Sequence, residues 1–463
     1  MSFIKRFQKS LEALPVPPEN ASYVVAYSGG LDSLVLLYCC KALNLSLRAV
    51  HVHHGLQSSA DDWVVHCQKT CNDLNIPLHV IYVDANKKRG QSPEESARIA
   101  RYQALQENLT VNECLLTAQH LNDQAETFLL QLFRTAATAG LSAMPAFRQF
   151  GQYTHVRPFL SFTREEIENF AKENALQWIE DPSNQDVSYD RNFIRKNVLP
   201  ALKQRWPEVA KQLSTVASLQ ANNLQVLEDM AAIDLANVIL PAVNQTKTSR
   251  YEVVSVLSNT ELKQLSSSRL LNVLRYWIRT AMQKASTETG VVNNSLSRKL
   301  LEEIEKTLIS SPQDANPVIA FQGYELRKFQ HVLYLLKSRT GINQNEIRND
   351  IDWKSSSPLI ITALNLQIKP RSTTGDGLNK KLLGETLKIT FRKGGEQFHP
   401  AARQHSQRLK KLLQEASIPP WDRESIPLLY YKDELIAVIG LWLAKDYVVA
   451  SGEEGWDVDV DLL

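Results

Sequence analysis

From residue 20 to about 135 the chain alternates two apolar patterns. Runs at 22–27, 47–52, 78–83 and 113–118 are short, nearly continuous and rich in Val, Leu and Ile, as strands buried on both faces are. Stretches near 31–44, 59–75 and 93–109 carry helical spacing instead. Strand and helix in alternation predict an α/β, doubly wound parallel sheet with helices on both faces. Ligands of such sheets sit beyond the carboxyl ends of the strands, here at 28–33, 51–56 and 118–120. A helix-rich stretch runs from Thr163 to about 215, opened by a Thr163/Glu166 capping box and broken at Asp181-Pro182-Ser183-Asn184. Residues 208–310 read as mostly helical, with loops near 240–249 and 286–296. A Gly/Asn/Ser-rich boundary at 339–360 leads to strands at 359–368, 386–392 and 427–432 around a helix at 403–416. The division expected is 1–215, 216–345 (helical) and 346–463 (small, α+β).

The first strand runs into Ser28-Gly29-Gly30-Leu31-Asp32-Ser33 and then the apolar helix opening Leu34-Val35-Leu36-Leu37. Two glycines let the backbone approach a ligand and take positive φ. The helix start beyond them offers free N–H groups and a positive dipole end, which suits a phosphate. Ser28 and Ser33 add hydroxyls, whereas Asp32 would repel a bare phosphate unless a cation lay between, which points to a nucleotide with Mg²⁺. The Walker spacing G-x-x-x-x-G-K-[ST] is absent. The hexapeptide in this setting resembles the loop of the ATP pyrophosphatase (PP-loop) superfamily, whose members cleave ATP to AMP and pyrophosphate.

Composition adds limits. With 43% hydrophobic and 22% charged residues the chain is ordinary for a soluble globular protein of two or three domains. It lacks long apolar runs and a signal-peptide core, so the cytoplasm is the expected compartment. Its five cysteines, Cys39, Cys40, Cys67, Cys71 and Cys114, are odd in number and crowded into the first quarter, which argues for reduced thiols. Cys67 and Cys71 are four apart and read as core thiols or as half a metal site. The net charge of +2 is small, but 191–205 carries Arg191, Arg195, Lys196, Lys203 and Arg205 with no acid, and 391–423 is also basic. Such patches can hold a polyanion.

Three further groups carry candidate chemistry. Asp123 and Glu126 are three apart after the fourth strand, so on a helix they share a face; they read either as a seat for a metal or ammonium or as an acidic first turn. Arg98 and Arg101 share a face of the third helix, where they either pair with Glu95 or balance phosphate charge. His51, His53 and His54 have no cysteine or acid cluster beside them and read as a nucleotide-facing strand end rather than a zinc site.

Taken in order, Ala26–Ser33, His51-Val-His-His-Gly-Leu56, Glu95-Ser-Ala-Arg98 with Arg101-Tyr102, and Thr117-Ala-Gln-His120 with Asp123-Gln-Ala-Glu126-Thr127 resemble the tRNA(Ile)-lysidine synthetase family. Gly140–Met144, Arg157–Leu160, Glu180–Asn184, Arg191–Arg195 and Val198–Pro200 continue the series. Arg392–Glu396, Leu409–Leu413 and Ile418-Pro419 resemble its longer bacterial form. Two places depart: Asn122 stands where paired aspartates are usual, and Thr135-Ala-Ala-Thr138 lacks the glycines that normally follow Arg134.

The resemblance implies a PP-loop, adenine nucleotide alpha hydrolase-like fold and a ligase acting on the wobble cytidine of tRNA(Ile) with a CAU anticodon. ATP and Mg²⁺ adenylate the cytosine C2 oxygen, and the amine of free L-lysine displaces AMP to form lysidine, which changes methionine identity to isoleucine. It implies that Asp32, Asp123, Glu126, Arg98, Arg101 and Arg191 act in catalysis. Ser28, Gly29, Gly30, Leu31, Asp32, Ser33, His51, His54, Gly55 and His120 would bind the nucleotide, and Asp32 and Glu126 the metal. Basic segments at 191–205 and 391–423 would hold tRNA by its backbone, and a homodimer is compatible with the family. The rivals are a tRNA thiolase, which normally uses a C-x-x-C pair or persulfide cysteine, a glutaminase-linked synthetase, and a catalytically idle tRNA binder.

Overall fold

A computed structural model describes residues 1–14, 22–53, 55, 60–83, 93–241, 246–285, 296–312, 315–339 and 350–463. Contacts divide the chain into one unit of Met1–Met230 and another of Ala231–Ala285 with the described residues of Asn294–Leu463.

The first unit is built on the expected sheet. Strands β1 (Ser22–Ala26), β2 (Leu47–His53), β3 (Leu78–Tyr82) and β4 (Glu113–Leu116) lie where the apolar runs predict them, joined by two more, β5 (Phe147–Phe150) and β6 (Tyr153–Val156). The order is β3-β2-β1-β4-β6-β5, parallel except for the edge strand β5, which pairs antiparallel with β6. These last two strands escape periodicity because each is four residues long and they turn through Gly151, whose φ is +62°. The helices are α1 (Phe3–Glu12), α2 (Leu31–Ala42), α3 (Ala60–Asp73), α4 (Pro93–Asn108), α5 (Leu121–Phe133), α6 (Thr138–Leu141), α7 (Arg164–Glu173), α8 (Asp190–Phe193), α9 (Leu199–Arg205) and α10 (Val209–Val238). A π-helical turn, Ile194–Val198, joins α8 to α9. Phe7 of α1, Leu34 of α2, Cys67 of α3 and Ile167 of α7 bury against one face of the sheet, and Leu105 and Leu109 of α4 pack against Val24, Val50 and Leu115 on the other. The capping box at Thr163 and Glu166 forms as expected, and Arg6 of α1 binds the Glu166 carboxylate.

Strand order places the site. Moving outward from β1, the chain reaches β2 and β3 on one side and β4 and β6 on the other. The loops leaving β1 and β4 therefore diverge and open a crevice between them, the switch point of a doubly wound sheet.

Residues 208–310, which pass from the first unit into the second within α10, are helical in α10, α11 (Asn259–Leu262), α12 (Ser267–Ala285) and α13 (Arg298–Ile304), but they also contain a strand, β7 (Tyr251–Ser258). It pairs with β10 (Val332–Ser338), Val332 against Ser258, in a sheet completed by β8 (Val318–Phe321) and β9 (Tyr324–Phe329). A partner that far along the chain leaves no local signal, and Val253-Val254 followed by Val256-Leu257 suits helix or strand alike. Trp277 anchors the core beneath this sheet. Antiparallel sheets fill the region from Ile351 onward around Trp353 and Trp456. The helix expected at 403–416 begins only at Leu409, because residues 407–408 pair as a strand with 397–398. The strand expected at 359–368 is interrupted by a 3-10 turn at Thr362–Leu364.

All five cysteines are free and buried. Burial pushes the thiols of Cys67 and Cys114 up to about 12 and that of Cys71 to about 11, with Cys71 adding to the shift at Cys67. Their thiolates, the reactive form, are thus scarce near neutral pH. We expect no rapidly reacting thiol in the native protein titrated with a chromogenic disulfide reagent, and five after unfolding in guanidinium. A fast native thiol would contradict this packing.

Candidate functional site

The turn after β1 is tightly determined. Gly29 has φ +83°, and a Cβ there would meet Cys67 Sγ and Ile179 Cδ1, each at 3.0 Å. Its carbonyl accepts from Ile179 N–H at 3.0 Å, so glycine is required for both conformation and space. Ser33 Oγ ties the turn together, accepting from Ser28 N–H (3.2 Å) and donating to the Gly30 carbonyl (3.0 Å). Gly30 caps α2 without a side-chain hydrogen bond, so the first N–H groups of α2 are not claimed by a capping side chain.

Asp32, one residue into α2, is the first carboxylate of a larger constellation. Arg164 at the start of α7 hydrogen-bonds its Oδ2, while Oδ1 is buried without a hydrogen-bond partner. Burial pushes this carboxyl up, opposed by His120 and Arg164. His120 caps α5: its Nδ1 accepts from Asp123 N–H at 3.4 Å, and its own N–H donates to Asp123 Oδ2 at 3.0 Å. With Nδ1 accepting, the proton of a neutral ring sits on Nε2, 3.8 Å from Asp32 Oδ1 and 3.5 Å from Asp123 Oδ2. His120 thus links the two loops of the crevice.

Asp123 and Glu126 do share a face of α5, and both are filled. Asp123 Oδ1 accepts from Arg191 (2.9 Å) and Arg195 (3.2 Å). Glu126 accepts from Arg191 Nε at Oε2 (2.8 Å) and from Arg195 Nε at Oε1 (2.6 Å). Glu126 is 1% exposed and Asp123 8%. Burial alone would push Asp123 up; His120, Arg191, the His120 N–H and Arg195 outweigh it and hold the carboxyl at about 2.

The structure thus gathers Ser28–Ser33, His120, Asp123, Glu126 and Arg191, and adds Arg164 and Arg195, which sequence reasoning missed. Arg195 carried a signal, four residues after Arg191 on a helical stretch. Arg164 carried none, since it reaches Asp32 from 132 positions away. Other expected residues stand elsewhere. Arg98 lies over the Tyr102 ring at 5.7 Å, toward Arg148, Arg157 and the buried His155. Arg101 acts electrostatically on His51. His51 is buried and donates from Nδ1 to the Tyr27 carbonyl at 2.9 Å; burial above all lowers its pKa, so it holds the end of β1 as a neutral ring. Gly55 has φ +64° with open space where a Cβ would be. His54 lies outside the described residues.

As to Mg²⁺, the unpartnered, buried Oδ1 of Asp32 suits a cation, whereas both oxygens of Glu126 are held by guanidinium groups. Among the described residues no group of three His, Cys, Asp or Glu side chains could hold a metal alone, so phosphate or water oxygens would have to complete the coordination.

The two sequence departures have local meanings. Asn122 Oδ1 accepts from Arg164 N–H at 3.0 Å, fixing the start of α7 and with it the arginine on Asp32; an aspartate would accept in the same way. Thr135 ends α5 in a Schellman turn, with Thr135 N–H to the Leu132 carbonyl and Ala136 N–H to the Gln131 carbonyl, each at 3.0 Å. Its φ is +53°, where a β-branched residue is strained.

Asp123 is depressed in the folded state, so its contribution to stability is full above about pH 4 and is lost as pH falls toward 2. Asp123→Asn should flatten the acid limb of the pH–stability profile between these values by roughly 2 kcal/mol, read from thermal or urea melts; an unchanged limb would contradict the pairing. Thr135→Gly should raise unfolding free energy by about 1 kcal/mol through release of the left-handed strain. A loss on urea denaturation would show that the threonine makes a compensating contact.

The chain matches the model of the PP-loop domain over residues 3–202, that of the TilS substrate binding domain over 257–334 and that of the TilS substrate C-terminal domain over 387–460. It is 38% identical to the tRNA(Ile)-lysidine synthase of Coxiella burnetii, over 98% of this chain and 96% of that one. It is 37% identical to that of Yersinia pseudotuberculosis serotype O:1b (96% and 96%) and to that of Methylococcus capsulatus (93% and 94%). Among solved structures, the U34-tRNA thiolase NcsA of Methanococcus maripaludis aligns with a TM-score of 0.40 at 15% identity, covering 47% of this chain and 77% of that one. With near-complete coverage by such relatives, and a PP-loop turn meeting paired carboxylates at the switch point of its sheet, the chain belongs to the tRNA(Ile)-lysidine synthase family of ATP-dependent ligases.

Proposed function

We propose that this chain joins the amine of free L-lysine to C2 of the wobble cytidine of tRNA(Ile) bearing a CAU anticodon. In the first half-reaction the cytosine C2 oxygen attacks the α-phosphate of ATP and pyrophosphate leaves. In the second the lysine amine attacks C2, the bond from C2 to the AMP oxygen breaks, and the amine proton passes to a base. The observation that carries this reading is the meeting, in one crevice, of a phosphate-suited turn and a carboxylate pair suited to an amine.

The residues divide the chemistry among them. The N–H groups from Ser28 to Ser33 hold the pyrophosphate portion, with Gly55 and His120 bordering the nucleotide and His51 fixing the end of β1 that carries the turn. Asp32 would hold Mg²⁺ through its open oxygen, where the bound ion would supply charge neutralisation for the pyrophosphate. Asp123, tied to the loop through His120, and Glu126 seat the lysine ammonium, which enters as a guanidinium yields its place. The carboxylates hold the ammonium in place, and the amine proton leaves to a base as the nitrogen attacks C2. Arg191, freed in that exchange, balances charge on the adenylated base. The cytidine must leave its stack to reach this crevice. Residues 1–215 form the catalytic domain in this reading, and 216–345 and 346–463 hold the tRNA body through backbone contacts.

The test is transfer of radiolabelled lysine to unmodified isoleucine tRNA with ATP and Mg²⁺, with initiator and elongator methionine tRNAs as controls. Label in the isoleucine tRNA alone is expected. Asp32→Ala should cut turnover on the order of 100-fold or more while tRNA affinity stays nearly intact. Intact tRNA binding without any label in the wild type would replace the ligase with an idle binder.

A further inference from the structure

The stretch from α8 to α9 has two faces, and only one is used by the acid cluster. Arg191 and Arg195 turn inward to Asp123 and Glu126. Phe193 and Tyr189 each stand two positions from Arg191, about 200° around a helix, and face the opposite way. Phe193 is 48% exposed, Tyr189 36%, and Phe133 at the end of α5 is 65%. Phe193 N–H bonds the Tyr189 carbonyl, which sets these rings one turn apart. The Arg134–Asp190 ion pair at 4.0 Å brings the end of α5 beside the start of α8.

Three exposed aromatic rings around one short segment are an uncommon surface for a protein to leave in water. Their ionic setting is one-sided. Beyond Asp190, which Arg134 faces, the run to Arg205 holds no acid; with Arg191 and Arg195 taken by the inner carboxylates and Lys203 4.0 Å from Glu165, Lys196 (bound to the neutral Gln185) and Arg205 are its remaining cations. Apolar rings interleaved with cations fit unpaired bases on a phosphate backbone: every base offers a π-face to an aromatic ring, and the cations meet the phosphates. A docking protein would have to bring acids to this run, whereas an RNA loop brings both phosphates and flat bases.

We infer that Tyr189, Phe193 and Phe133 form a stacking surface for unpaired bases of an RNA loop, those flanking the base that enters the crevice. The inference rests on the proposed reading for the identity of that base, but not for the stacking. The surface is continuous with the reaction site, because the segment that presents the rings also carries Arg191 and Arg195. Bases held on its outer face would fix the loop's register and leave one nucleotide to be drawn in between α5 and the turn after β1.

The test is binding of the full chain to an anticodon stem-loop RNA, and to the same RNA with abasic sites flanking the wobble position, alongside the labelled-lysine assay. Tyr189→Ala and Phe193→Ala should each weaken stem-loop binding on the order of 10-fold, with Phe193→Trp restoring it. The abasic RNA should bind the wild type weakly and the alanine variants no more weakly still. Unchanged stem-loop affinity and unchanged KM for tRNA in the alanine variants, with lysine transfer intact, would overturn the inference and leave the function standing. Ring-dependent stem-loop binding with no lysine transfer by the wild type would do the reverse. Sedimentation of wild type and variants completes the test: a self-association lost with the rings, at unchanged RNA affinity, would make this face a contact between copies and also overturn it.

Discussion

Two carboxylates buried on one helix cannot stay ionised unless cations reach them, and that demand organises the first unit of this protein. Glu126 and Asp123 stand on the inner face of α5, where isolated charges would be costly. Arg191 and Arg195 answer them with bonds of 2.6 to 3.2 Å. Those bonds lock the otherwise irregular stretch from α8 to α9 against α5, helped by Ile194 and Leu199, which pack on Ala125 and Leu129. The π-helical turn itself carries Arg195, just after the α8 segment that carries Arg191, and such turns relax the strict spacing of an α-helix. The same bonds keep both carboxylates oriented, so that any cation entering here would exchange with a guanidinium rather than create a buried charge.

The loop after β1 meets this cluster because of strand order, not sequence proximity. β1 and β4 are neighbours whose following segments part company, so the turn at 28–33 and the cap at 120 face each other across the opening. His120 makes the join chemical: one ring nitrogen completes the cap of α5 and the other lies between Asp32 and Asp123. Replacing it would disturb a helix start and two carboxylates together.

How much of this was legible follows from the range of each interaction. The turn at 28–33, the acids at 123 and 126 and the parallel sheet all announce themselves within a dozen residues, through spacing and periodicity. The Thr163/Glu166 cap did so within four. Arg164 on Asp32 and β7 against β10 did not, since each joins segments more than seventy residues apart and nothing local marks the partner. His51 was legible as a residue at a strand end but not in its role. Whether it faces ligand or backbone depends on which way β2 turns that ring, and here it turns to the Tyr27 carbonyl.

Asp422 in the second unit shows why nearby arginines are not enough to make an acid like Asp123. Burial raises Asp422 to about 6, against Ser249, Arg250, Arg339 and Arg327, all of which favour its charge. The Ser249 hydroxyl donates to it at 2.5 Å, while Arg250 Nε and Arg339 Nη1 are buried without hydrogen-bond partners. Asp123 has two guanidinium groups in direct contact and a backbone N–H besides, and it ends near 2. Cations at a distance offset part of the desolvation penalty; donated hydrogens overturn it. For the catalytic unit this means that Arg191 and Arg195 matter through contact and direction, so a lysine at either position, carrying the same charge on a flexible stem, would not reproduce a guanidinium that bridges two carboxylates at once.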